Sequence, residues 1–469
     1  MKSAAKLGSL ALLPLLLFAA AGCEKKSAVT TVAHKWEWIS GADTVDQLGV
    51  YGTLAAPAAA NVPGSREDAV SWRDASGRFW LFGGYGYDAA GYRDRLNDLW
   101  VYDPAGGNWT WMGGGSSVDE PAVYGTRGAA SALNIPGARN GSVAWTDGGG
   151  NVWLFGGFGF TTANDYGNLN DLWMYDPAAG QWTWVMGSNA VDQPGVYGTK
   201  GTAASSNIPG GRFGAVSVTG ADGRFWLFGG YGEDASGNAG WLNDLWAFDP
   251  AARQWTWISG SDTNGQSGAY GTKGTADAAN VPGGRYMGAG WLDPDGLFWL
   301  FGGEGYDSEE NRGPLNDLWK YDPEAGQWTW MTGGNVVRVS GTYTTVDTES
   351  TTDTPGSRSG SVSWIDGSGQ LWLFGGYGLD STAYDRWLND LWKFNPAKSA
   401  WTWTSGRSTG GGKGTYGTKG TPDSTNIPGA RFSSVSWMDG SGRLWFFGGY
   451  GSDSKGTGGW LNDLWQFIK

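Results

Sequence analysis

The block Trp-Leu-Phe-Gly-Gly begins at Trp80 and returns at Trp153, Trp226, Trp299 and Trp372, with Trp-Phe-Phe-Gly-Gly at Trp445, so every step is 73 residues. Leu-Asn-Asp-Leu-Trp keeps the same step from Leu96 to Leu461, and Pro-Gly keeps it from Pro63 to Pro428. An arginine follows each Pro-Gly: Arg66, Arg139, Arg212, Arg285, Arg358 and Arg431. A period of this size without insertion or deletion restricts the chain to a repeat architecture. Each copy is one supersecondary unit that cannot bury its apolar face alone and must stack on its neighbours.

Within the first copy, Ala69-Val70-Ser71-Trp72 is followed by the turn cluster Asp74-Ala75-Ser76-Gly77. Phe79-Trp80-Leu81-Phe82 is closed by Gly83-Gly84, Leu99-Trp100-Val101-Tyr102 by Asp103-Pro104, and Trp109-Thr110-Trp111-Met112 alternates strictly. Short runs of aromatic and β-branched residues bounded by Gly, Pro, Asp and Asn read as strands. No segment carries a long 3.6-residue period. These four runs, here strands A, B, C and D, predict a four-stranded antiparallel unit and an all-β fold.

Gly-Gly after strand B, an aromatic at Tyr102, a tryptophan at Trp109 and the arginine ahead of strand A together resemble a kelch repeat. The resemblance runs from Trp36 to Lys469, and the repeat is 73 residues where a kelch unit has about 50. It implies a six-bladed β-propeller of four antiparallel strands per blade around a channel. The sixth copy ends after its strand C, Leu464-Trp465-Gln466-Phe467, and the unmatched strand is His34-Lys35-Trp36-Glu37-Trp38-Ile39. The N-terminal strand is therefore expected to complete the C-terminal blade, within a single domain of residues 34–469. The tryptophans, 32 in all, read as the filling between blades, because positions i and i+2 of a strand share one face.

Strand parity sorts the connections. A–B and C–D turns share one face and are short; B–C and D–A connections share the other and are long. The D–A loops repeat Val-Tyr-Gly-Thr around Tyr51, Tyr124, Tyr197 and Tyr270, with modified versions at Tyr343 and Tyr416. Repeated sequence at repeated spacing predicts one ordered shape, packed on the next blade's loop; the fifth diverges and is expected to be mobile or specialised. This loop-rich face is the functional candidate, since binding residues sit on loops held by a rigid scaffold.

Three rings of residues lie there. The six arginines either present positive charge at the channel mouth to a carboxylate or phosphate, which a guanidinium fork suits, or bond neighbouring carbonyls and the Asp98-type aspartates. The position after each arginine varies where its neighbours do not: Glu67, Asn140, Phe213, Tyr286, Ser359 and Phe432. Variation inside a uniform scaffold is where asymmetric specificity can reside. Asp88, Asp234, Asp307, Asp380 and Asp453, interrupted by Thr161, follow the B–C glycines. Aspartates there cap turns, and one carboxylate per loop falls short of the 6–8 oxygens of a calcium site. No metal and no cofactor is expected.

Residues 1–22 read as a signal peptide, with Lys2 and Lys6 ahead of an apolar run from Leu7 to Ala21 that is too short for an ordinary spanning helix. Ala20-Ala21-Gly22-Cys23 resembles a bacterial lipobox. That resemblance implies cleavage before Cys23, lipid on its thiol, a tether over residues 23–33, and a place in the cell envelope, outer membrane included, on the periplasmic or surface side. Cys23 is the only cysteine, so no intrachain disulfide can form. Removing the leader takes two lysines from 32 basic residues, leaving 30 against 45 acidic and a net charge of −15. That excludes nucleic acid and an electrostatic hold on anionic lipid.

The copper-radical oxidases contain kelch-like propellers, but their centre needs two histidines and a cysteine, and His34 is the only histidine here. A His-based nucleophile relay and a typical zinc site are excluded with it. The leading expectation is a monomeric, non-enzymatic binding or scaffolding propeller whose partner is a protein, or a glycan stacking on Tyr85, Tyr231, Tyr377 and Tyr450. The alternatives are a carbohydrate-active enzyme (hydrolase, lyase or epimerase) at the channel mouth, and a structural surface component.

Overall fold

The computed structural model of the chain describes residues 34–161 and 165–469. The signal peptide, Cys23 and the tether lie outside the described residues. Every regular element among them is a strand. In the first repeat these are Arg66–Glu67 and Val70–Arg73, Phe79–Tyr87, Arg93–Asp103 and Asn108–Gly113. They pair antiparallel in the order A, B, C, D. The same order recurs in each 73-residue copy, giving six four-stranded units among the described residues.

Strands B and C are longer than their apolar runs. Gly83 and Gly84 do not end strand B: both have positive φ (65° and 101°) and form a bulge, beyond which Gly84 pairs with Leu96 and Tyr87 with Arg93. A Cβ on Gly83 would lie 2.7 Å from the Arg139 carbonyl oxygen of the next sheet, so the glycine is required by close approach as well as by φ. The B–C connection is accordingly a tight hairpin around Asp88, shorter than the loop expected over residues 85–95.

The innermost strands close a circle. Val70–Arg73 touches Val143–Thr146 on one side and Val435–Met438 on the other, and the remaining inner strands contact in chain order between them. Six apolar clusters fill the gaps, each built from two facing sheets; one joins Trp80, Phe82 and Leu99 to Leu154, Trp173 and Trp182. Trp80, Trp100 and Trp109 are all no more than 1% exposed, as filling between sheets requires. Lys35–Ser40 pairs antiparallel with Leu464–Ile468, placing Trp36 opposite Phe467, so the first strand of the chain completes the last sheet.

The D–A segments are ordered, and the structure corrects where they lie. Four of them do touch the start of the next such loop, as Arg127 Nη2 does at the Gly187 carbonyl, but each mainly runs along the exposed edge of the following strand D. Val123 pairs with Ile135 within one such segment, and Ser131 bridges to Trp182 of that outer strand. In the fourth, Ala276–Asp277 adds a short fifth strand against Trp328 and Thr329. Edge strands expose unpaired backbone groups, and this cover satisfies them. The divergent fifth segment keeps the same shape, with Thr342 paired to Thr354 and Glu349–Ser350 paired to Trp401 and Thr402.

Candidate functional site: the mouth of the propeller

The six arginines do not face the mouth. Arg212 is 1% exposed and its Nη1 and Nη2 donate to Oδ1 and Oδ2 of Asp244 at 2.7 and 2.8 Å. Its Nε donates to the Gly210 carbonyl and Nη1 also donates to the Gly229 carbonyl. Oδ2 of Asp244 also accepts from the Tyr197 hydroxyl at 2.7 Å and the Trp246 indole at 2.7 Å. The other five copies repeat this cluster, as at Arg66 with Asp98, Tyr51 and Trp100. A buried ion pair is tolerated when its geometry is good and further hydrogen bonds support it, and here four of the five guanidinium N–H groups have acceptors. Burial, then the adjacent carboxylate, push these tyrosine hydroxyls well above their usual range. Arg66, Arg139, Arg212, Arg285, Arg358 and Arg431 are therefore fasteners between the D–A segment and strand C. Their charge is spent internally, so the expectation of a cationic ring for an anionic ligand is not met.

The Asp88-type residues are likewise spent on backbone. Oδ1 of Asp307 accepts the N–H groups of Glu309 and Asn311 across the hairpin, and Oδ2 accepts Val337 N–H from the D–A segment. Burial opposes its charge, but these bonds outweigh it and hold the carboxyl below its usual range. Among the described residues no group of three acidic, histidine or cysteine side chains is placed to hold a metal ion.

The variable ring behaves differently. Each of its residues is the innermost of three cross-strand partners at the loop-rich end of a sheet, and such partners share one face. The rows are Glu67–Tyr85–Arg95, Asn140–Phe158–Asn168, Phe213–Tyr231–Trp241, Tyr286–Glu304–Pro314, Ser359–Tyr377–Trp387 and Phe432–Tyr450–Trp460. Neighbouring rows touch. Tyr377 meets Phe432 at 6.0 Å, Trp387 meets Tyr450 at 5.4 Å, and Trp460 meets Tyr85 at 5.9 Å between ring centres. Arg95 spans from Tyr85 to Phe158, 4.6 Å above the latter ring, and Phe158 meets Phe213 at 5.9 Å. Phe213 then meets Tyr286 at 5.8 Å. The result is an aromatic collar that runs through five of the six sheet junctions and breaks between Tyr286 and Ser359.

Beneath the collar the axis is closed by backbone. The residues two after each arginine, Asp68, Gly141, Gly214, Met287, Gly360 and Ser433, all have positive φ of 52° to 65°. Each donates its N–H to the carbonyl of the preceding one, Asp68 to Ser433 included, at 2.7 to 3.0 Å, making a closed circle of six hydrogen bonds. Three glycines suit this left-handed backbone, and they also make room: a Cβ on Gly141, Gly214 or Gly360 would lie within 3.2 Å of the Phe213, Tyr286 or Phe432 side chain.

One feature of the mouth occurs once only. Glu67 and Asp68 place two adjacent carboxyls at the axis. Burial, then the Asp68 carboxylate, push Glu67 up to about 8, against the Trp460 indole that donates to its Oε1 at 3.1 Å. Burial pushes Asp68 up to about 6, with Ser433 and Asn140 opposing. Sequence reasoning singled out Glu67 for its variable position but not Asp68 beside it. The signal was present in the departure of Asp68 from the glycines that fill its position in three other repeats.

A kelch-motif family model matches residues 212–262, which is one repeat from its strand A arginine through Gly229-Gly230 and Trp255 to the end of strand D. No curated protein matches the chain. The landmarks of that repeat recur at the same 73-residue step in the other five, on sheets of the same strand order, and the chain is a kelch-repeat β-propeller.

Proposed function

We propose that this propeller is a non-enzymatic binding module that recognises a protein or a glycan at its aromatic mouth. The observation that carries this reading is the variable ring. It changes chemistry from repeat to repeat while the fasteners around it stay constant, and its rows bring aromatic rings to the mouth, Tyr377 exposed among them. Kelch propellers serve as protein-binding scaffolds, and a rigid ring with one asymmetric end suits that use. The Cys23 lipobox supports a lipid-anchored module in the bacterial envelope.

The test uses residues 34–469, which form one compact unit containing every strand described. Pull-down from an envelope extract, beside a glycan array, is expected to return a ligand that Phe213→Ala or Phe432→Ala releases. Capture unaffected by both substitutions would refute the mouth. Replacement of Cys23 by serine is expected to move the full chain from the membrane to the soluble fraction; unchanged fractionation would refute the anchor. A carbohydrate-active enzyme is the second reading, favoured by the Glu67–Asp68 pair alone. Turnover of any glycan, abolished by Glu67→Gln, would replace the first reading with it.

A further inference from the structure

The turn end of the propeller, opposite the mouth, carries one departure from the repeat. In five repeats an aspartate in the A–B turn, Asp74, Asp147, Asp293, Asp366 or Asp439, accepts the indole N–H of the strand B tryptophan at 2.7 to 3.1 Å. The third repeat has Gly220 at that place. The carboxylate reappears two residues on at Asp222, which accepts the Arg224 backbone N–H at 3.0 Å and Arg224 Nε at 2.6 Å. Asp74 takes the same two donors from Arg78 and the Trp80 indole besides. Asp222 recovers the first two and leaves the third, so among the described residues the Trp226 indole N–H has no acceptor.

Trp226 is 2% exposed, and a buried donor without a partner is costly. The indoles of Trp109 and Trp255 also lack acceptors, but those nitrogens are sealed among the sheets. Trp226, Gly220 and Asp222 instead line a cavity of about 560 Å³, which the turns of the fourth sheet bound on its other side. A Cβ on Gly220 would lie 2.8 Å from Trp226 Nε1 and 2.6 Å from Asp222 Oδ1. The vacated place therefore adjoins a donor that lacks an acceptor and a carboxylate with lone pairs for a further donor.

The charges around the cavity select the ligand. Asp222, Asp295, Asp322 and Glu324 line it against Arg224 alone, which disfavours a carboxylate or a phosphate. An ammonium has donors and no acceptor, so it leaves the indole unsatisfied. A hydroxyl oxygen does both: it accepts from Trp226 and donates to Asp222. We infer that this cavity binds a neutral saccharide residue, one hydroxyl standing where the other repeats hold their aspartate carboxylate. Neighbouring hydroxyls donate to Asp295 and Glu324 across the cavity, and Arg224, held 5.2 Å above the Trp226 ring, offers its Nη groups to a further oxygen. The site shares no residue with the mouth and stands independently of it.

Nuclear magnetic resonance of the 34–469 chain, isotope-labelled at its tryptophan indoles, tests this, with the Trp226 signal identified by its loss in Trp226→Phe. The probes are the methyl glycosides of glucose, galactose, mannose and N-acetylglucosamine, beside sodium acetate, n-butylammonium chloride and N-acetyl-glycine amide. At least one glycoside is expected to move the Trp226 signal saturably, while acetate, butylammonium and the amide leave it in place. Gly220→Asp returns the carboxylate of the other repeats and is expected to weaken the glycoside at least about tenfold, with the other indole signals and the melting temperature kept. Phe213→Ala and Phe432→Ala are expected to leave this binding unchanged. Glycoside binding lost with those two but kept in Gly220→Asp would place the sugar at the mouth and overturn the inference. A Trp226 signal that no glycoside moves would mean that the place holds water alone and would overturn it too. An equal response to the amide, or a saturable shift that survives Gly220→Asp, would do the same.

Discussion

At the scale of residues, the same charged side chain type does opposite work depending on whether its bonds are complete. Arg139 and Asp171 satisfy each other and are sealed by Tyr124 and Trp173. Arg139→Leu leaves Asp171 charged and buried without its partner, so a loss of about 3–5 kcal/mol is expected in urea denaturation. Tyr124→Phe removes one donor and is expected to cost about 1–3 kcal/mol. Glu67 and Asp68 are the reverse case. Folding raises Glu67 from 4.5 to about 8 and Asp68 from 3.8 to about 6, so the folded chain holds protons that the unfolded chain releases. Below these windows neither group affects stability; as pH rises through about 4 to 8 both are expected to lower it. Glu67→Gln should flatten that slope and give a higher urea midpoint than wild type at pH 8, with little difference at pH 4. An unchanged slope would mean that Glu67 is solvated in the folded chain. The arginine ring was legible from spacing as one of two options; what decided between them was the aspartate 32 residues on, placed opposite by the pairing of strands B and C.

At the scale of elements, the closing strand and the edge covers carry the fold. Trp36 is 3% exposed and packs against Phe374, Phe446 and Phe467. Trp36→Ala is expected to cost about 3–5 kcal/mol, and deletion of residues 34–39 to lower the melting temperature sharply, since it opens the circle at its non-covalent junction. A melting temperature unchanged by the deletion would show that the circle does not depend on this strand. Asn134 ties its D–A segment to the outer strand through the Trp182 carbonyl at 3.0 Å. Its replacement by alanine is expected to loosen the cover and promote concentration-dependent aggregation, measurable by light scattering. Strand runs, the closing strand and the short turns were all visible in the pattern of aromatics. The true lengths of strands B and C were not, because Gly-Gly is a stop signal locally and becomes a bulge only when the ladder resumes beyond it. The D–A segments had the repetition of an ordered structure, but nothing local states which edge they cover.

At the scale of the whole molecule, six sheets of the same strand order make a scaffold whose mouth differs from repeat to repeat. Fasteners, fillers and edge covers repeat because every junction poses the same packing problem. The variable ring departs from that uniformity: its residues differ in size and charge while still meeting the neighbouring sheets, as Phe213 meets Phe158 and Tyr286. Aromatic rows at Phe213 and Phe432, with Glu67 in the collar and Asp68 in the circle, are the molecule's distinguishing mark.

The chain's own periodicity determined the strand class, the number of repeats, the pairing of its two ends and the buried role of the tryptophans, since alternation and a fixed 73-residue step leave few ways to bury that much aromatic surface. Only the tertiary structure decided that the arginines are neutralised, that the long segments are edge covers, and that Glu67 and Asp68 are buried side by side. Those outcomes depend on distances between residues far apart in the chain, and a local pattern carries no such distance.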